Sequence, residues 1–391
     1  MSNNFEQVRK SVWLLKALSG FGAQQFKIFC ENVKDISDIL CKDARMDFYG
    51  KGYFTKEQIS ELETLISGNE YEKDIDHCRE AGVELISVFD SRYPKNLSAI
   101  YDPPLVIYVK GTILQEDEVG VGIVGTRHPS IYGLKCAGKF AFELAEKGVT
   151  IISGLARGID GESHRGALRG KGRTIAVLGS GLDVIYPKGH ENLYEQITES
   201  GAVISEYPLG TEPARYHFPM RNRIIAGLSI GVLVVEASQK SGALITANIA
   251  ANENREVYVI PGQIDSIQSL GTNQLIQKGA RLVTSANEIL EDIKNPIQRA
   301  LNQWKRESES PVPLPKVPGS NSIKSEPGTF GNGTGSNDPL LKLLSDEPLY
   351  FDEIMQLMGG KPAEVHTKLV KLELEGSVKR SFGGGYVKLA K

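Results

Sequence analysis

The sequence lacks the features that mark disulfide-stapled, zinc-binding or membrane-spanning proteins. Only four cysteines occur among 391 residues and none forms a CxxC pair, so neither a disulfide framework nor a structural zinc is expected. No apolar run approaches the roughly 18 residues of a membrane helix, and the opening residues MSNNFEQVRK carry no signal-peptide core. We therefore expect a soluble protein of the cytoplasm.

An excess of positive charge is also lacking. The 45 Lys and Arg residues face 48 Asp and Glu residues, which gives a formal net charge of −3. Because the field of the whole molecule attracts no polyanion, any nucleic-acid surface must be a local patch. The 40% hydrophobic content is enough for one sizeable core with smaller satellites, which predicts two or three domains.

The two ends of the chain differ in composition from its centre. Residues 1–75 have apolar positions at helical spacing on both sides of Gly20–Gly22, which predicts a small SAM-like helical domain. The glycine turn is typical of a phosphate-binding helix-hairpin-helix and equally of an ordinary αα-hairpin. Residues 296–338 include a stretch rich in Pro, Gly and Ser, and are predicted to be a flexible linker.

The segment 339–391 is predicted to be a winged-helix domain. Three short helices fit Pro339–Leu344, Phe351–Met358 and Pro362–Glu375, and two strands fit the residues around Gly383–Gly385. The third helix carries acidic as well as basic side chains, whereas a helix that reads a DNA sequence is usually more uniformly basic. A weak duplex-binding or protein-docking module is therefore at least as well supported for this domain as sequence-specific reading.

The central segment, residues 80–295, alternates short apolar runs with amphipathic stretches. Such alternation is typical of a parallel sheet covered by helices on both faces. We therefore expect an α/β protein with an extended Rossmann-like parallel sheet core, with helices over Gly133–Lys147 and Ala243–Asn254. The predicted strands are Val83–Phe89, Leu105–Val109, Val121–Val124, Val149–Ile152, Thr174–Leu178, Ala202–Ser205, Val232–Glu236 and Val257–Ile260.

Several of these strands end in glycine or serine. The carboxyl ends of parallel strands meet at one edge of a sheet, where ligands bind. Glycine lets an anion approach the backbone, and the amino end of the next helix favours negative charge. We therefore expect phosphate groups at this edge. The candidate residues are Gly125, Arg127, Ser153, Gly154, Lys188, Lys240, Ser241 and Gly242.

The segment Tyr216–Ile225 adds aromatic and basic side chains in close succession. Arginine binds the phosphate backbone, and aromatic rings stack on bases that no partner strand covers. The pattern is thus typical of single-stranded nucleic-acid binding. An alternative is that its arginines form ion pairs within the fold, with Glu206 or Glu236. The candidate contact residues of this segment are Arg221, Asn222 and Arg223.

Other site classes fit the sequence less well. The glycine spacing departs from GxGxxG and no GxxxxGK[ST] segment occurs, which disfavours a dinucleotide site and a P-loop. Asp160 and His164 lie near Ser153, but no GxSxG elbow supports a hydrolytic triad. We expect no catalytic residue, cofactor or metal. A nucleotide phosphoribohydrolase or a nuclease that uses the same edge is the alternative.

Eight segments of the centre, spread over about residues 80–290, carry a family resemblance. They are GTRHPSIYG, SGLARGID, YPKGH, SEYPLG, HFPMRNRIIAGLS, SGALITA, REVYVIPG and GTNQLIQKGA. In their order and spacing the sequence closely resembles the DNA-processing protein A family (DprA, also called Smf). The helical amino-terminal segment and the predicted winged helix fit a three-part version of that family.

The resemblance implies a function. Members of that family bind single-stranded DNA in a positively charged pocket of the Rossmann-like domain. They form homodimers, which here implies the region around Val257–Gly279, and they load the recombinase RecA during natural transformation. A base-stacking aromatic after the YP turn has no clear counterpart, and His190 or Tyr194 are the candidates. The implied pocket residues are Gly125, Arg127, Ser153, Gly154, Lys188, Arg221, Asn222, Arg223, Ser241 and Gly242.

Overall fold

The chain divides into two compact units, Met1–Asn321 and Ser322–Lys391. The computed structural model describes residues 2–294 of the first unit. In the second it describes residues 340, 344, 354, 365, 369, 372, 378–380 and 386–388. Among all these residues, none belongs to a helix that is long and apolar enough to cross a membrane.

The first unit opens with the expected helical region. Gly20 adopts a left-handed φ of +71° and reverses the chain between the first two helices. Phe29 packs against the rings of Phe48 and Phe54 at centroid distances of 5.1 and 5.2 Å. The helices are α1 (Ser2–Ala17), α2 (Ala23–Asn32), α3 (Lys42–Gly50), α4 (Lys56–Ser67) and α5 (Glu70–Glu80), with a 3₁₀ turn at Ile36–Leu40.

The amino-terminal helices share a core with one edge of the sheet. Asp74 on α5 accepts hydrogen bonds from Trp13 Nε1 and from the Tyr108 hydroxyl, each at 2.7 Å. Trp13 lies on α1 and Tyr108 lies in the sheet, so one carboxylate links three elements. The buried ring of Tyr108 belongs to the same apolar cluster as the helices.

A nine-stranded sheet forms the centre of the first unit, in the order β1-β2-β6-β5-β4-β3-β7-β8-β9. Strands β3 to β9 run parallel, and β2 runs antiparallel to both β1 and β6. The strands are β1 (Glu84–Ser87), β2 (Val106–Gly111), β3 (Gly120–Val124), β4 (Thr150–Ser153), β5 (Thr174–Leu178), β6 (Ala202–Ser205), β7 (Gly231–Val234), β8 (Glu256–Val259) and β9 (Arg281–Leu282).

Helices cover both faces of this sheet, as the apolar strands require. On one face α7, α8 and α13 bury Phe140, Ile159 and Ile289. On the other face α10, α11 and α12 bury Ile224, Ala247 and Leu275. The helices are α6 (Lys95–Ser98), α7 (Ile131–Glu146), α8 (Ile159–Arg169), α9 (Glu191–Ser200), α10 (His217–Leu228), α11 (Gly242–Asn252), α12 (Leu270–Gln277) and α13 (Ala286–Asp292).

The α/β expectation is confirmed, with three differences in the sheet. The edge formed by β1 and β2 makes the sheet mixed rather than wholly parallel. The strand β9 was not expected, because its two residues are too few to produce a periodic pattern. The predicted strand Val232–Glu236 ends instead at Val234, and Glu236 turns toward α7.

The second unit has its own apolar core. Strand β10 (Val378–Arg380) pairs antiparallel with β11 (Tyr386–Lys388), as the predicted wing requires. The predicted linker 296–338 lies outside the described residues, as do most residues of the three predicted helices. The buried core consists of Leu340, Leu344, Ile354, Val365, Leu369, Leu372, Val378 and Tyr386.

Candidate nucleic-acid interface

The carboxyl ends of the parallel strands bring the predicted segments together at one edge of the sheet. From β3 the chain proceeds through β4, β5 and β6 on one side, and then crosses to β7 on the other side of β3. The order of strands therefore reverses between β3 and β7, where ligands of doubly wound sheets bind. We call this edge the rim, which comprises residues 125–130, 154–158, 179–188, 216–222 and 236–242.

The segments of the rim touch one another. The N–H of Ile159 donates to the carbonyl oxygen of Thr126 at 3.3 Å, which joins the exits of β3 and β4. A Cβ on Gly158 would lie 2.5 Å from the same oxygen, so only glycine fits there. His217 Nδ1 lies 3.0 Å from the carbonyl oxygen of Gly179 and joins α10 to the exit of β5.

Arg221 is buried beneath the rim, with an exposure of only 4%. Its Nη1 donates to the carbonyl oxygen of Gly154 at 2.7 Å and also to that of Val177. Burial lowers the pKa of its guanidinium to about 10, so the group stays charged at neutral pH. Arg221 therefore fastens the exits of β4 and β5 from inside rather than extending outward.

A buried carboxyl group lies close to this guanidinium. Asp160, on the first turn of α8, is 7% exposed. Burial raises the pKa of Asp160, whereas the charge of Arg221 and the backbone N–H groups of Ala156 and Gly154 favour its ionised form. Asp160 thus orders the same glycine-rich loop that Arg221 holds.

Two further candidates are engaged within the fold. The Ser153 hydroxyl is fully buried and donates to the carbonyl oxygen of Ile123 at 2.6 Å. Arg223 forms ion pairs with Glu206 at 2.6 Å and with Asp102 at 3.1 Å. The structure therefore does not bring either side chain to the open face of the rim. For Arg223, the pairing with Glu206 is the alternative that the sequence left open.

The remaining candidates lie at or near the surface. Lys188 and Lys240 are exposed, and Asn222 is half-buried. Ser241 caps α11 by accepting a hydrogen bond from the N–H of Ala243 at 3.3 Å. Gly242 is the first residue of that helix, where a backbone N–H has no partner within the helix, and its missing Cβ leaves open space. This helix end has the geometry of an anion site.

Arg127 and several rings form an aromatic surface at the rim. The exposed guanidinium of Arg127 lies 5.0 Å from the centroid of the Phe218 ring, a cation–π contact. The ring of Tyr186 packs against Phe218 at 5.6 Å and remains 42% exposed. Tyr216 is 70% exposed and packs edge-on against His217 at 4.4 Å. Tyr186 is not among the residues predicted from the sequence, because the base-stacking ring is expected after the YP turn, whereas Tyr186 is part of that turn.

The aromatic candidates proposed after that turn are interior residues. His190 is 9% exposed and its Nδ1 lies 3.0 Å from the carbonyl oxygen of Leu155. Tyr194 is 1% exposed and its hydroxyl donates to the carbonyl oxygen of Leu182 at 2.9 Å. Neither ring is available to stack on a base, because both fill the space beneath the β4 and β5 exits.

His164 is also held in the core. Its Nδ1 lies 2.7 Å from Oγ1 of Thr174, whose hydroxyl proton points to the carbonyl oxygen of Ile151. Nδ1 therefore carries the imidazole proton and donates it to Thr174. Burial lowers the pKa of His164 to about 3. Among the described residues, no three His, Cys, Asp or Glu side chains are grouped closely enough to hold a metal ion.

Fold and site together define a doubly wound α/β protein whose strand exits form one glycine-rich surface with arginine and tyrosine side chains. Residues 84–294 match the family model of DNA recombination-mediator protein A, and residues 332–384 match the DprA winged helix domain. The chain belongs to the DNA recombination-mediator protein A family, also called DprA or Smf.

Relatives of known sequence or structure are similar over much of the chain. Protein Smf of Synechocystis sp. is 36% identical over 334 residues, which are 80% of this chain and 82% of that protein. The crystal structure of DNA processing protein A from Streptococcus pneumoniae is similar with a TM-score of 0.57 and 35% identity, over 72% of this chain and 95% of that one. A structure of DNA processing protein A from Helicobacter pylori, described for its single-stranded DNA binding mode, is similar with a TM-score of 0.50 and 29% identity. The similarity covers 55% of this chain and 96% of that one.

Proposed function

We propose that this chain captures single-stranded DNA along the rim and delivers it to a RecA-type recombinase. One observation carries the proposal: the Tyr186 and Tyr216 rings are 42% and 70% exposed at the rim, where the surface Arg127 lies over the Phe218 ring that Tyr186 contacts. A single exposed tyrosine is common, but exposed rings grouped at strand exits with a surface cation form a face that is unusual for a free surface. Unpaired bases can stack on such rings, whereas the bases of a duplex are already stacked on each other.

The phosphates of the strand contact charged groups and backbone donors of the same surface. Arg127, Lys188 and Lys240 supply positive charge, and the amino end of α11 supplies N–H groups at Ser241 and Gly242. Gly125 and Gly154 support the loops of this surface from within, because a side chain at either position would collide with Ile159 or with the Arg221 guanidinium. Asn222 adds a side-chain amide, while Ser153, Arg221 and Arg223 support these contacts from within the fold.

A homodimer is the proposed assembly, with the recombinase contact close to the dimer interface. The region Val257–Gly279 supports it, because Ile264 and Ile267 there are 88% and 69% exposed. Ile131 at the start of α7 is 87% exposed, and the neighbouring Tyr132 hydroxyl donates to the carbonyl oxygen of Pro261. Apolar side chains grouped in this way at a surface usually mark a protein interface.

The proposed biological setting is the cytoplasm, where incoming DNA is protected and recombined during natural transformation or a general recombination reaction. The winged helix contacts duplex DNA or a partner protein. We propose binding without catalysis, which the engagement of His164 by Thr174 supports. Incubation with nucleoside monophosphates and single strands tests this, and release of a free base or of shortened DNA would favour the phosphoribohydrolase or nuclease alternative.

The decisive experiment is a gel-shift series with labelled single and double strands across several salt concentrations. We expect preferential binding of single strands, with affinity that falls as salt rises, because phosphate contacts release counterions. Equal affinity for duplex of the same length would overturn the role of the exposed rings. Undetectable binding at low salt would overturn the capture function itself.

A further inference from the structure

The carboxylate of Glu236 lies at the amino end of α7, directly behind the β3 exit. Glu236 follows β7 and is 2% exposed. Its Oε2 accepts from the Ser130 N–H at 2.9 Å, and its Oε1 accepts from the Ser130 hydroxyl at 2.5 Å. The Ser130 hydroxyl oxygen in turn accepts from the N–H of Gly133 at 3.0 Å. A buried carboxylate thus occupies the position where a helix end binds an anion.

The residues around the Glu236 carboxylate leave no room for a further side chain. A Cβ on Gly133 would lie 2.2 Å from Glu236 Oε2, so a side chain there must displace the carboxylate. The backbone of Glu236 holds the other end of the same loop, because its carbonyl oxygen accepts from the Thr126 N–H at 2.8 Å. Glu236 therefore fixes the β3 exit on both sides of Arg127.

We propose that Glu236 is a positioning residue for strand capture and acts as a built-in anion. By fixing residues 126–130 it holds Arg127 over the Phe218 ring, facing the strand. The Glu236 carboxylate also occupies the amino end of α7, at the point where the strand order of the sheet reverses. A phosphate of the bound strand therefore cannot bind there. The phosphates of the strand are therefore directed to Arg127 and to the end of α11. This inference rests on the proposed single-strand binding.

Chemical rescue tests the proposal. Glu236→Ala removes the carboxylate and leaves room for a small carboxylate ion. We expect it to bind a labelled single strand about tenfold more weakly in chloride buffer, because the loop that carries Arg127 keeps the backbone bond at Thr126 but loses its anchor at Ser130. Acetate at the same ionic strength should restore most of the affinity of the variant and leave the affinity of the parent unchanged. Fluorescence anisotropy gives the dissociation constants in both buffers.

A second variant disturbs the position of the Glu236 carboxylate from the side of α7. Gly133→Ala keeps the carboxylate but displaces it, so we expect similarly weakened binding without rescue by acetate. If Glu236→Ala does not fold, the affinity of Gly133→Ala tests the proposal instead. Gly133→Ala is expected to fold, since alanine favours a helix more than glycine does. Parent-like affinity of Gly133→Ala would then overturn the proposal.

The control is Glu253→Ala. The Glu253 carboxylate also accepts a backbone N–H, that of Tyr101 at 3.0 Å, but beyond the carboxyl end of α11 and away from the rim. We expect parent-like binding in both buffers. Glu236→Ala with parent affinity, or with a loss that acetate does not reverse, would overturn the role of Glu236. A parent protein that binds no single strand would instead overturn the proposed function.

Discussion

Arg221 Nη1 donates to the carbonyl oxygen of Gly154 at 2.7 Å, although 67 positions separate the two residues. A Cβ on Gly154 would lie 2.3 Å from that nitrogen, so the glycine is needed for the close approach of the guanidinium. Backbone carbonyl groups stabilise the buried guanidinium. The same hydrogen bonds hold the ends of β4 and β5 in position. The glycine-rich exits are therefore held in place by contacts within the fold.

Replacing Arg221 should therefore reduce stability and binding together. Arg221→Met keeps much of the side-chain volume but leaves two buried carbonyls without their donor, and we expect a loss of about 3 kcal/mol in the free energy of unfolding. Urea unfolding measures this loss, and Arg221→Lys should recover part of it. A variant with full stability and a reduced salt dependence of binding would show a direct phosphate contact instead.

Tyr216 provides the test of base stacking. Tyr216→Ala should cost about 1–3 kcal/mol of single-strand binding, and Tyr216→Phe should keep most of the affinity because the ring remains. Thermal stability should hardly change, since the side chain is 70% exposed. Tyr101→Ala is the matched control, because Tyr101 is 73% exposed but lies away from the rim. Equal losses in Tyr216→Ala and Tyr101→Ala would contradict the assignment.

The surface cations of the rim should appear in the salt dependence of binding. Each of Arg127→Ala, Lys188→Ala and Lys240→Ala should reduce the slope of log affinity against log salt by about 0.7, the effect of one lost contact to a single-strand phosphate. Lys73→Ala is the control, because that exposed lysine of α5 pairs with Glu70. An unchanged slope for any rim variant would remove that residue from the proposed strand path.

Much of the fold and of the rim could be predicted from the sequence. Buried parallel strands are apolar throughout, so runs such as Thr174–Leu178 mark their positions directly. Glycine follows several of these strands, and parallel topology gathers the strand exits at one edge of the sheet. The position of the candidate site therefore follows from local patterns together with one rule of topology.

The direction of each side chain could not be predicted, because it depends on partners distant in sequence. Arg221 and Arg223 lie two positions apart, yet one points to backbone carbonyls and the other to Glu206 and Asp102. From its sequence Glu236 is only a candidate ion-pair partner, whereas in the structure its carboxylate accepts from Ser130 at the start of α7. These roles require the three-dimensional arrangement of strand exits that are more than a hundred residues apart.

The proposed dimer predicts an effect of charge at its exposed isoleucines. Ile264→Asp combined with Ile267→Asp should shift the protein toward the monomer, because burying two carboxylates at an apolar interface costs more than it returns. Light scattering coupled to size-exclusion chromatography measures the mass. Ile28→Asp, at a 54% exposed position of α2, is the control. A parent protein that is monomeric at all concentrations would contradict the proposed assembly.

The buried His164 predicts how stability depends on pH. Its pKa falls from 6.5 to about 3 because burial disfavours the imidazolium. Between these values the unfolded chain binds a proton that the folded chain does not, so stability decreases as pH falls below about 6.5. The decrease from this group approaches about 1.4 kcal/mol per pH unit.

His164→Gln should lower stability at neutral pH, since it alters the bond to Thr174, but should flatten this part of the profile. Asp160 has a raised pKa and contributes the opposite slope at pH values above its ordinary pKa of 3.8. It is present in both proteins, so the difference between their urea unfolding free energies isolates the histidine. Parallel profiles between pH 4.5 and 6.5, a range set by the shifted and ordinary pKa of His164, would show that the imidazole is not kept neutral by burial.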